Sequence, residues 1–507
     1  MELDEKRIQQ IVDRVVSRLG IQPPGPSQPT SGAGAAPAVH RNPAAGPSAK
    51  GIPLLHPGAP QRGVRTGIPR GSLGVFPTVD AAARAARQAF EELDKRPLEL
   101  RYKVVAAMRE VTLRHVRELS EYAVAETGLG RVEDKVRKNT LAAEKTPGPE
   151  ILKPKAFTGD RGLTLIEWAP YGVIGSITPC TNPTETIVCN GIGFVAGGNT
   201  AVFNVHPLAK AVSAYHIHLL NEAAMGVGAP ANLLTTVAEP TIASAQELMK
   251  HPTTRILVVT GGPAVVNAAM NSGKKVVAAG PGNPPVVVDE TADIKRAARG
   301  IVAGASFDNN LICCDEKEVF AAGAIFDQLR KELKAAGAHE LSEPQMSRLT
   351  RNIIDPDGKH PNKDFVGKNV SVILDSIGIR VGDDVRLAFG VVEEKHPLVT
   401  VEQLLPVIPL VRAKDAGEAI EMALRAEQGM GHTASIYSRN IDNMHHMARL
   451  MDTCIFVKNG PNYVGLGGDG EGFTSWTIAH PTGEGLSCAI HFVRTRRCAL
   501  QDYFRIV

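Results

Sequence analysis

Two cysteines stand side by side in the stretch SFDNNLICCDEKEV, residues 306–319, after a short apolar step. A thiol with a pKa near ~8.5 is only slightly ionised at neutral pH, although the thiolate is its nucleophilic form. Cys313 or Cys314 would therefore need backbone N–H groups or a nearby positive charge to attack a carbonyl carbon. We expect residues 315–317 to be the polar start of the next element, and a carboxylate close to a thiol would oppose its ionisation. The residues alone leave open whether either sulfur is a nucleophile.

A second stretch has the parts of a nucleotide site. RILVVTGG has the pattern of a short buried strand ending in Gly261 and Gly262, and PAVVNAAMNSG continues as a helix with Pro263 in its first turn. In a dinucleotide-binding crossover, such glycines let the backbone approach a pyrophosphate at the helix N-terminus. This turn does not form a GxGxxG, and an ordinary connection between strand and helix explains two glycines equally well.

The elements around these stretches alternate between strand and helix. From about residue 163, LTLIEWAPYGVIGSITP is rich in β-branched residues, TETIVCNGIGFVAGG is helix-like, and NTAVFNV is a short apolar strand. This alternation predicts an α/β fold. The chain has 507 residues, and single cores stop growing near ~250–300 residues, so we expect two or more domains.

The first residues differ from the rest of the chain. Residues 1–20 place apolar side chains on one face of a short amphipathic helix, and residues 21–65 are a flexible linker dominated by Pro, Gly, Ala and Ser. A bare helix of this length is marginal in water, so its apolar face needs a surface to lie against. That surface belongs either to the same protein, including a sister subunit, or to another partner. The acidic residues in the helix disfavour a membrane surface and a mitochondrial transit peptide.

Composition excludes several classes of function. The net charge is +3 and the basic residues are scattered, which disfavours a nucleic acid partner. No apolar run reaches the ~18 residues of a membrane span, and the N-terminus lacks the pattern of a secretory signal, so we expect a cytoplasmic protein without a membrane partner. Seven cysteines without a CxxC pair disfavour a disulfide framework, and we expect no metal site.

Seven ordered motifs resemble the aldehyde dehydrogenase superfamily, and more narrowly its CoA-acylating branch from bacterial microcompartments. They are SITPCTNPTETIV, FVAGGNTAVFNVHPLAK, VVTGGP, AAGPGNPPVVV, SFDNNLICCDEKEV, VEQLLPVIPLV and GMGHTASIYS. The resemblance covers about residues 70–507. It implies an α/β, aldehyde dehydrogenase-like fold with a Rossmann-type cofactor domain and an α/β catalytic domain. The implied ranges are a cofactor domain over 66–288, with a β oligomerisation segment near 155–170, a catalytic domain over 289–486, and an oligomerisation strand over 487–507.

The resemblance also implies a catalytic set. In the family pattern NNLxC the nucleophile is Cys313, which leaves Cys314 as a packing residue. The oxyanion would be held by the Cys313 backbone N–H and by a side chain of the PCTNP loop. The family asparagine falls at Thr181 or Asn182, and we name Asn182 because an amide is the better donor. His432 in GMGHTA resembles a histidine of this branch that could take the proton of CoA.

One expected residue is absent. Hydrolytic members of the superfamily have an LELGG segment whose glutamate activates the deacylating water, and the matching stretch VVAAGPGNPP has Ala278 there. Water needs a strong base, whereas the thiol of CoA supplies thiolate near neutral pH. We therefore expect CoA, and not water, to release a thioacyl group from Cys313. The alternative is that Ala278 is a packing residue and the alignment is displaced by one position.

The implied cofactors are NAD and coenzyme A, which share one cleft. Glu402 in VEQLLP matches the family carboxylate that accepts hydrogen bonds from the nicotinamide ribose. On the adenosine side, Asn204 and Pro207 replace a family lysine and glutamate, and His206 could serve a phosphate or the ribose. This site has no carboxylate that would repel the 2′-phosphate of NADP. The expected preference for NAD over NADP is therefore loose. The remaining cofactor-binding residues are Thr178, Pro179, Gly261 and Gly262.

The expected reaction is CoA-acylating oxidation of a short-chain aldehyde, with propanal favoured over ethanal by family likeness. The helix and linker resemble encapsulation peptides, which implies a shell protein as partner of residues 1–20 and a place in a microcompartment lumen. We also expect a homo-oligomer, either a dimer or a tetramer. The alternatives are a hydrolytic aldehyde dehydrogenase with a base from elsewhere, and a catalytically inactive shell-associated protein.

Overall fold

The computed structural model describes residues 73–507, and two large sheets and a smaller antiparallel sheet organise this part of the chain. The helix predicted over residues 1–20 and the linker predicted over 21–65 both lie outside the described residues. None of the helices within 73–507 has both the length and the apolar character needed to cross a membrane.

The first sheet consists of six short parallel strands with mostly buried, β-branched residues. They are β1 (Val75–Phe76), β4 (Val173–Ile177), β5 (Thr200–Asn204), β6 (Leu234–Val237), β7 (Thr254–Thr260) and β8 (Lys275–Ala279). Their order is β1-β6-β5-β4-β7-β8. The chain passes from β4 outward through β5 to β6, and then crosses to β7 and β8 on the other side. β4 and β7 therefore border a topological switch point, where sheets of this kind bind ligands at the carboxyl ends of their strands.

Helices precede and connect these strands. They are α1 (Val79–Leu93), α2 (Glu99–Arg114), α3 (Val116–Thr127), α4 (Val132–Lys145), α5 (Pro183–Ala196), α6 (Lys210–Gly226), α7 (Ile242–Lys250) and α8 (Pro263–Met270). Pro263 occupies the first turn of α8, as its ring geometry favours. Every residue of α5 is buried, which explains why its sequence has no polar face.

The second sheet has seven parallel strands. They are β9 (Pro285–Val288), β10 (Glu318–Ala322), β11 (His339–Leu341), β12 (Ala388–Val391), β13 (Val407–Ala413), β14 (Thr433–Tyr437) and β15 (Ile455–Lys458). Their order is β11-β12-β13-β10-β9-β14-β15. Because β9 pairs with β10 and β14, residues 285–288 belong to this sheet. The division of the chain into domains at 288 and 289 stays a prediction, and the change of sheet falls a few residues earlier.

Helices also flank the second sheet. They are α9 (Ile294–Ala305), α10 (Phe326–Ala335), α11 (Glu343–Ile353), α12 (Val370–Asp375), α13 (Pro397–Thr400), α14 (Ala416–Glu427) and α15 (Ile441–Met451). Ser342 and Gln345 cap α11 reciprocally, since each side chain bonds a backbone N–H at the position of the other. α9 ends at the turn that carries the paired cysteines.

A third, antiparallel sheet joins two distant segments. It contains β2 (Lys155–Gly159), β3 (Gly162–Pro170) and β18 (Val493–Gln501), in the order β18-β3-β2. β18 pairs with β3 along nine residues, from Val493 opposite Pro170 to Gln501 opposite Gly162. The strands predicted near 155–170 and within 487–507 are therefore partners, while their role in oligomer formation stays a prediction. A short hairpin of β16 (Ile478–Ala479) and β17 (Gly485–Leu486) contacts β8.

Candidate active site

A cleft of about 190 Å³ lies at the switch point of the first sheet and faces the turn that precedes β10. Loops following β4, β7 and β8 form one wall, and the cysteine turn and the segment before β13 contribute others. The cleft brings together six of the predicted site residues: Pro179, Asn182, Gly261, Gly262, Cys313 and Glu402. These residues are separated by more than two hundred positions in the sequence, so the fold alone assembles them.

The two thiols occupy different environments. Cys313 is half-buried and lines the cleft, whereas Cys314 is fully buried in the hydrophobic core. Burial raises the pKa of the Cys313 thiol to about 12, and the Glu402 carboxylate adds to this effect while Lys317 opposes it. Only Cys313 can meet a substrate in the cleft, which is the placement that the resemblance implied.

The turn before Cys313 has an unusual backbone. Asp308, Asn309 and Asn310 are all left-handed, with φ of 46°, 57° and 64°. Asp and Asn tolerate this region better than other residues with a Cβ. The Asn310 amide donates to the carbonyls of Ala305 and Glu316, at 2.9 Å and 2.8 Å. Side-chain hydrogen bonds therefore fix the turn that presents the thiol.

The charged residues after the cysteines directly precede β10, as expected, but the fold does not leave them in solvent. Asp315, Glu316 and Lys317 are all fully buried. Lys317 Nζ donates to the carbonyls of Asn310 and Ile312, at 3.1 Å and 3.2 Å, and to the Asn310 side-chain oxygen. Lys317 therefore pairs with buried carbonyl groups of the cysteine turn, where an unpaired acceptor would be costly.

Asn182 stands at the opposite wall, immediately before α5. Its side chain does not cap the helix; its Nδ2 donates to Thr181 Oγ1 at 3.2 Å. Its Oδ1 is buried and has no hydrogen-bond partner in the described part of the chain. The carbonyl of Thr181 accepts a hydrogen bond from Lys135 Nζ at 3.0 Å. The loop is thus anchored from behind while its amide side chain faces the cleft.

A buried ion cluster, which the sequence reading missed, connects this loop to the cysteine turn. Its members are Lys135, Lys138, Asp308 and Glu185, and none is exposed. Asp308 Oδ2 is 3.0 Å from Lys135 Nζ and also accepts from Lys138. Its two ammonium partners hold the pKa of Asp308 below the usual range despite its burial. No sequence signal marks these residues, because helical lysines and acids most often form a solvated face.

Glu402 is the one carboxylate that lines the cleft in residues 73–507. It accepts a hydrogen bond from the N–H of Gly282 at 3.2 Å, and burial raises its pKa. Gly261 and Gly262 lie across from it at the start of α8, where a Cβ on Gly262 would meet no atom within 4 Å. A carboxylate for ribose hydroxyls, and a helix N-terminus with an open approach for phosphates, fit a nicotinamide dinucleotide.

The model of the aldehyde dehydrogenase family matches residues 72–347. The chain belongs to the aldehyde dehydrogenase family. It is 50% identical over 452 residues to an acetaldehyde dehydrogenase (acetylating) of Bilophila wadsworthia, covering 87% of this chain and 93% of that protein. The resemblance and the fold predicted from the seven motifs are confirmed.

Two solved structures are similar to this chain over most of their length. A propionaldehyde dehydrogenase from the Clostridium phytofermentans fucose utilisation bacterial microcompartment has a TM-score of 0.84 at 45% identity, over 86% of this chain and 100% of that chain. A propionaldehyde dehydrogenase of Rhodopseudomonas palustris, solved with bound CoA and an acylated cysteine, has a TM-score of 0.83 at 46% identity. That match covers 85% of this chain and 98% of the other.

Ala278, which stands where the family glutamate would fall, does not line the cleft. Ala278 lies in β8, is fully buried and packs in the core with Leu257 and Val259. The residues of this segment that line the cleft are Ala279, Gly280 and Pro281. None of these three residues carries a carboxylate, so this segment provides no general base for a deacylating water.

His432 lies behind the cleft wall and does not line it. It is fully buried, its Nδ1 is 2.8 Å from Thr433 Oγ1, and its Nε2 has no partner within the described residues. A Cβ on Gly282 would come within 2.7 Å of the Cys313 carbonyl oxygen and 2.8 Å of the His432 ring, so glycine is required between them. Burial, His480 and Lys317 hold the pKa of His432 well below its ordinary value.

Three predicted cofactor residues also lie outside the cleft lining. Thr178 is buried, and its N–H is 3.4 Å from the Asn204 carbonyl. The Asn204 side chain accepts from Ser244 Oγ at 2.6 Å. His206 Nδ1 accepts from the N–H of Leu208 at 3.1 Å and so caps a short helix. All three stand near the carboxyl end of β5. The side chains of Asn204 and His206 serve local structure, whereas Thr178 Oγ1 is buried and has no partner within the described residues.

The cleft also contains residues that sequence reasoning did not single out. Leu404, Leu466 and Trp476 line it together with Ser475. Leu404 adopts a left-handed φ of 51°, which is rare for a bulky residue and typical of functional sites. The apolar walls around Cys313 leave space for a small substrate. No spacing rule connects residues 404 and 476 to position 313.

Proposed function

We propose that this aldehyde dehydrogenase family member is CoA-acylating and converts a short-chain aldehyde to its acyl-CoA with reduction of NAD. The observation that carries the proposal is a cleft in which Cys313 faces Glu402 while no second carboxylate lines the wall in residues 73–507. Without a base for water, the acyl group leaves by transfer to a thiol. The Rhodopseudomonas palustris structure with CoA and an acylated cysteine supports this course.

The first half of the reaction takes place at Cys313. Its thiol releases the proton to water in the cleft as the sulfur attacks the aldehyde carbon, because its raised pKa disfavours a free thiolate beforehand. The Cys313 N–H and the Asn182 amide hold the oxyanion. Bound NAD supplies the acceptor for the hydride that leaves this carbon, and Glu402 orients its ribose. A thioacyl group then remains on Cys313.

The second half transfers the acyl group to CoA. His432 is the candidate acceptor of the thiol proton, because its low pKa keeps it neutral and its Nε2 has no partner within the described residues. Since His432 does not line the cleft, the proton would have to reach it through an intervening water. A weak base of this kind assists only while the new C–S bond is forming. The collapse of the tetrahedral adduct releases the Cys313 thiolate and the acyl-CoA.

The substrate is a short aldehyde, and two candidates are supported nearly equally. The Bilophila wadsworthia relative acts on acetaldehyde, whereas the two similar structures are propionaldehyde dehydrogenases. The apolar lining by Leu404, Leu466 and Trp476 suits either chain length. The preference for propanal remains a prediction from family likeness.

We also propose that the enzyme acts inside a bacterial microcompartment as a homo-oligomer. The similar Clostridium phytofermentans enzyme comes from such a compartment. Residues 1–20 would bind a shell protein, and the third sheet would form the contact between subunits. Its strand β2 is exposed along its whole length, and Phe157 within it is 58% exposed.

NADH formation from propanal or acetaldehyde and NAD, with and without CoA, tests the proposed reaction. We expect steady turnover with CoA and a burst of one equivalent without it. Cys313→Ala should abolish both, while Cys314→Ala should remain active because that sulfur is buried away from the cleft. Steady turnover without CoA and accumulation of free acid would support the hydrolytic alternative. An inactive wild type would support the shell-associated alternative.

A further inference from the structure

Two peptide groups at the cleft share one arrangement, and the proposed mechanism uses only one of their N–H groups, that of Cys313. One joins Thr181 to Asn182 and the other joins Ile312 to Cys313, and all four residues line the cleft. Within the described part of the chain, neither the Asn182 N–H nor the Cys313 N–H has an oxygen acceptor. Unused donors on a substrate cleft are what a developing oxyanion requires.

The carbonyl of each of these peptide groups accepts a hydrogen bond from a fully buried lysine. Lys135 Nζ lies 3.0 Å from the Thr181 carbonyl oxygen. Lys317 Nζ lies 3.2 Å from the Ile312 carbonyl oxygen. Neither lysine is exposed to solvent, so water does not screen the interaction.

The contacts of both lysines fit the charged form. Lys135 is also 3.0 Å from the Asp308 carboxylate, which provides a counter-charge. Lys317 donates three hydrogen bonds, to the Ile312 carbonyl and to both oxygens of Asn310. An ammonium has three protons for three acceptors, whereas a neutral amine has two.

The C–N bond of a peptide is conjugated with its carbonyl. A positive charge at the oxygen therefore draws electron density from the nitrogen and makes the N–H a stronger donor. Hydrogen bonds linked through one group strengthen each other in this way, and low dielectric preserves the effect. We propose that Lys135 and Lys317 are positioning residues that polarise these two peptide groups, so that the Asn182 and Cys313 N–H groups bind the oxyanion more strongly. The inference rests on the proposed function and deepens it.

Removing a complete oxyanion donor lowers the rate of acyl transfer about 10²- to 10³-fold. Loss of polarisation leaves the donor in place, so we expect a smaller effect, about tenfold for each lysine. The effect should appear in the step that forms the thioacyl group and not in NAD binding, because neither lysine lines the cleft.

The matched control is Lys138. It is also fully buried on α4, and it pairs with Asp308 and Glu185, but it donates to no peptide carbonyl of the cleft. Lys135→Met, Lys317→Met and Lys138→Met each remove one buried charge. Methionine keeps an unbranched side chain of similar length. The burst rate of NADH without CoA and the dissociation constant of NAD are measured for each. Lys135→Met and Lys317→Met should lose about tenfold in burst rate, and Lys138→Met should stay within about twofold.

An infrared measurement tests the proposed polarisation in the wild type as well, so the inference can still be tested if a variant fails to fold. The infrared stretch of a ¹³C-labelled propanoyl carbonyl on Cys313 reports the polarisation directly. In the native wild type it should lie at lower frequency than in the unfolded acyl-enzyme, and the shift should shrink in Lys135→Met and Lys317→Met. No shift in the wild type, or the same burst rate in all three variants, overturns the inference. Absence of CoA-dependent turnover in the wild type would instead overturn the proposed function.

Discussion

At the scale of single residues, burial separates two thiols that are equivalent in the sequence. Cys313 is half-buried on the cleft wall, and Cys314 is fully buried in the core. The pKa of Cys313 is raised to about 12, first by burial and then by the Glu402 carboxylate. In the proposed mechanism, ionisation of Cys313 would therefore be coupled to its attack on the aldehyde, and groups that stabilise the developing anion would set the rate.

A buried carboxyl next to the nucleophile predicts how stability depends on pH. Burial raises the pKa of Glu316 from 4.5 to about 8. The folded protein then holds a proton that the unfolded chain releases above pH 4.5, so this group's contribution to stability falls between about pH 5 and pH 8. The slope approaches about 1.4 kcal/mol per pH unit. Glu316→Gln cannot ionise and should remove this component from the free energy of unfolding, measured with urea at each pH.

Glu247→Gln is the control for this prediction, since Glu247 is exposed on α7. It should leave the pH profile unchanged. Gln at position 316 can still accept the hydrogen bond from the N–H of Asn462, which Glu316 accepts at 2.9 Å. An unaltered slope in Glu316→Gln would show that the carboxyl is not protonated in the folded protein.

At the scale of elements, the cysteine turn is held by its neighbours and not by its own conformational preference. Three consecutive left-handed residues are unfavourable for a chain with Cβ atoms. Arg131 N–H donates to Asp308 Oδ1 at 2.8 Å, and the Asn309 amide donates to the Gly367 carbonyl at 2.9 Å. Contacts from α4 and from the loop before α12 therefore stabilise the turn, so the nucleophile is positioned by distant segments.

The third sheet predicts a subunit contact that mutation can test. Phe157 on β2 and Leu500 on β18 are 58% and 40% exposed, so neither stabilises the core of its own subunit. Phe157→Lys combined with Leu500→Lys should place charges in the proposed interface and dissociate the oligomer. Sedimentation velocity measures the result. Ile242→Lys, at an 80% exposed site on α7, is the control and should leave the assembly intact. Dissociation by the control, or none by the double variant, would contradict the prediction.

At the scale of the whole molecule, catalysis and targeting should be separable. Every residue with a proposed role in the reaction lies within 135–432, whereas the proposed shell contact lies in residues 1–20. Deletion of residues 1–65 should leave CoA-dependent turnover within about twofold and abolish co-sedimentation with co-expressed microcompartment shells. Equal loading of the shortened chain would contradict the targeting proposal.

Point variants refine this test, because the predicted helix has two faces. Val12 and Val16 belong to the apolar stripe and Arg14 does not. Val12→Asp with Val16→Asp should prevent loading, because charge on the stripe opposes docking of an apolar face. Arg14→Asp should load as the wild type does.

The sequence by itself predicted the alternation of strand and helix from local patterns, namely short β-branched runs and glycine turns. The family, and Cys313, Asn182 and Glu402 as site residues, followed from the resemblance carried by seven ordered motifs. The strands near 155–170 and at the C-terminal end were also predicted, because an apolar strand at a chain end otherwise leaves an exposed edge.

The tertiary structure alone decided which charged side chains are buried and which groups they contact. Asp315, Glu316 and Lys317 follow the nucleophile as a polar run, yet the fold encloses all three. Lys135 reaches the Thr181 carbonyl across 46 positions, and Asp308 meets Lys135 across 173. The pleat of β8 alternates its side chains between core and cleft, so Ala278 packs in the core while Ala279 lines the cleft. Burial and long-range contacts are properties of packing, and a linear pattern does not contain them.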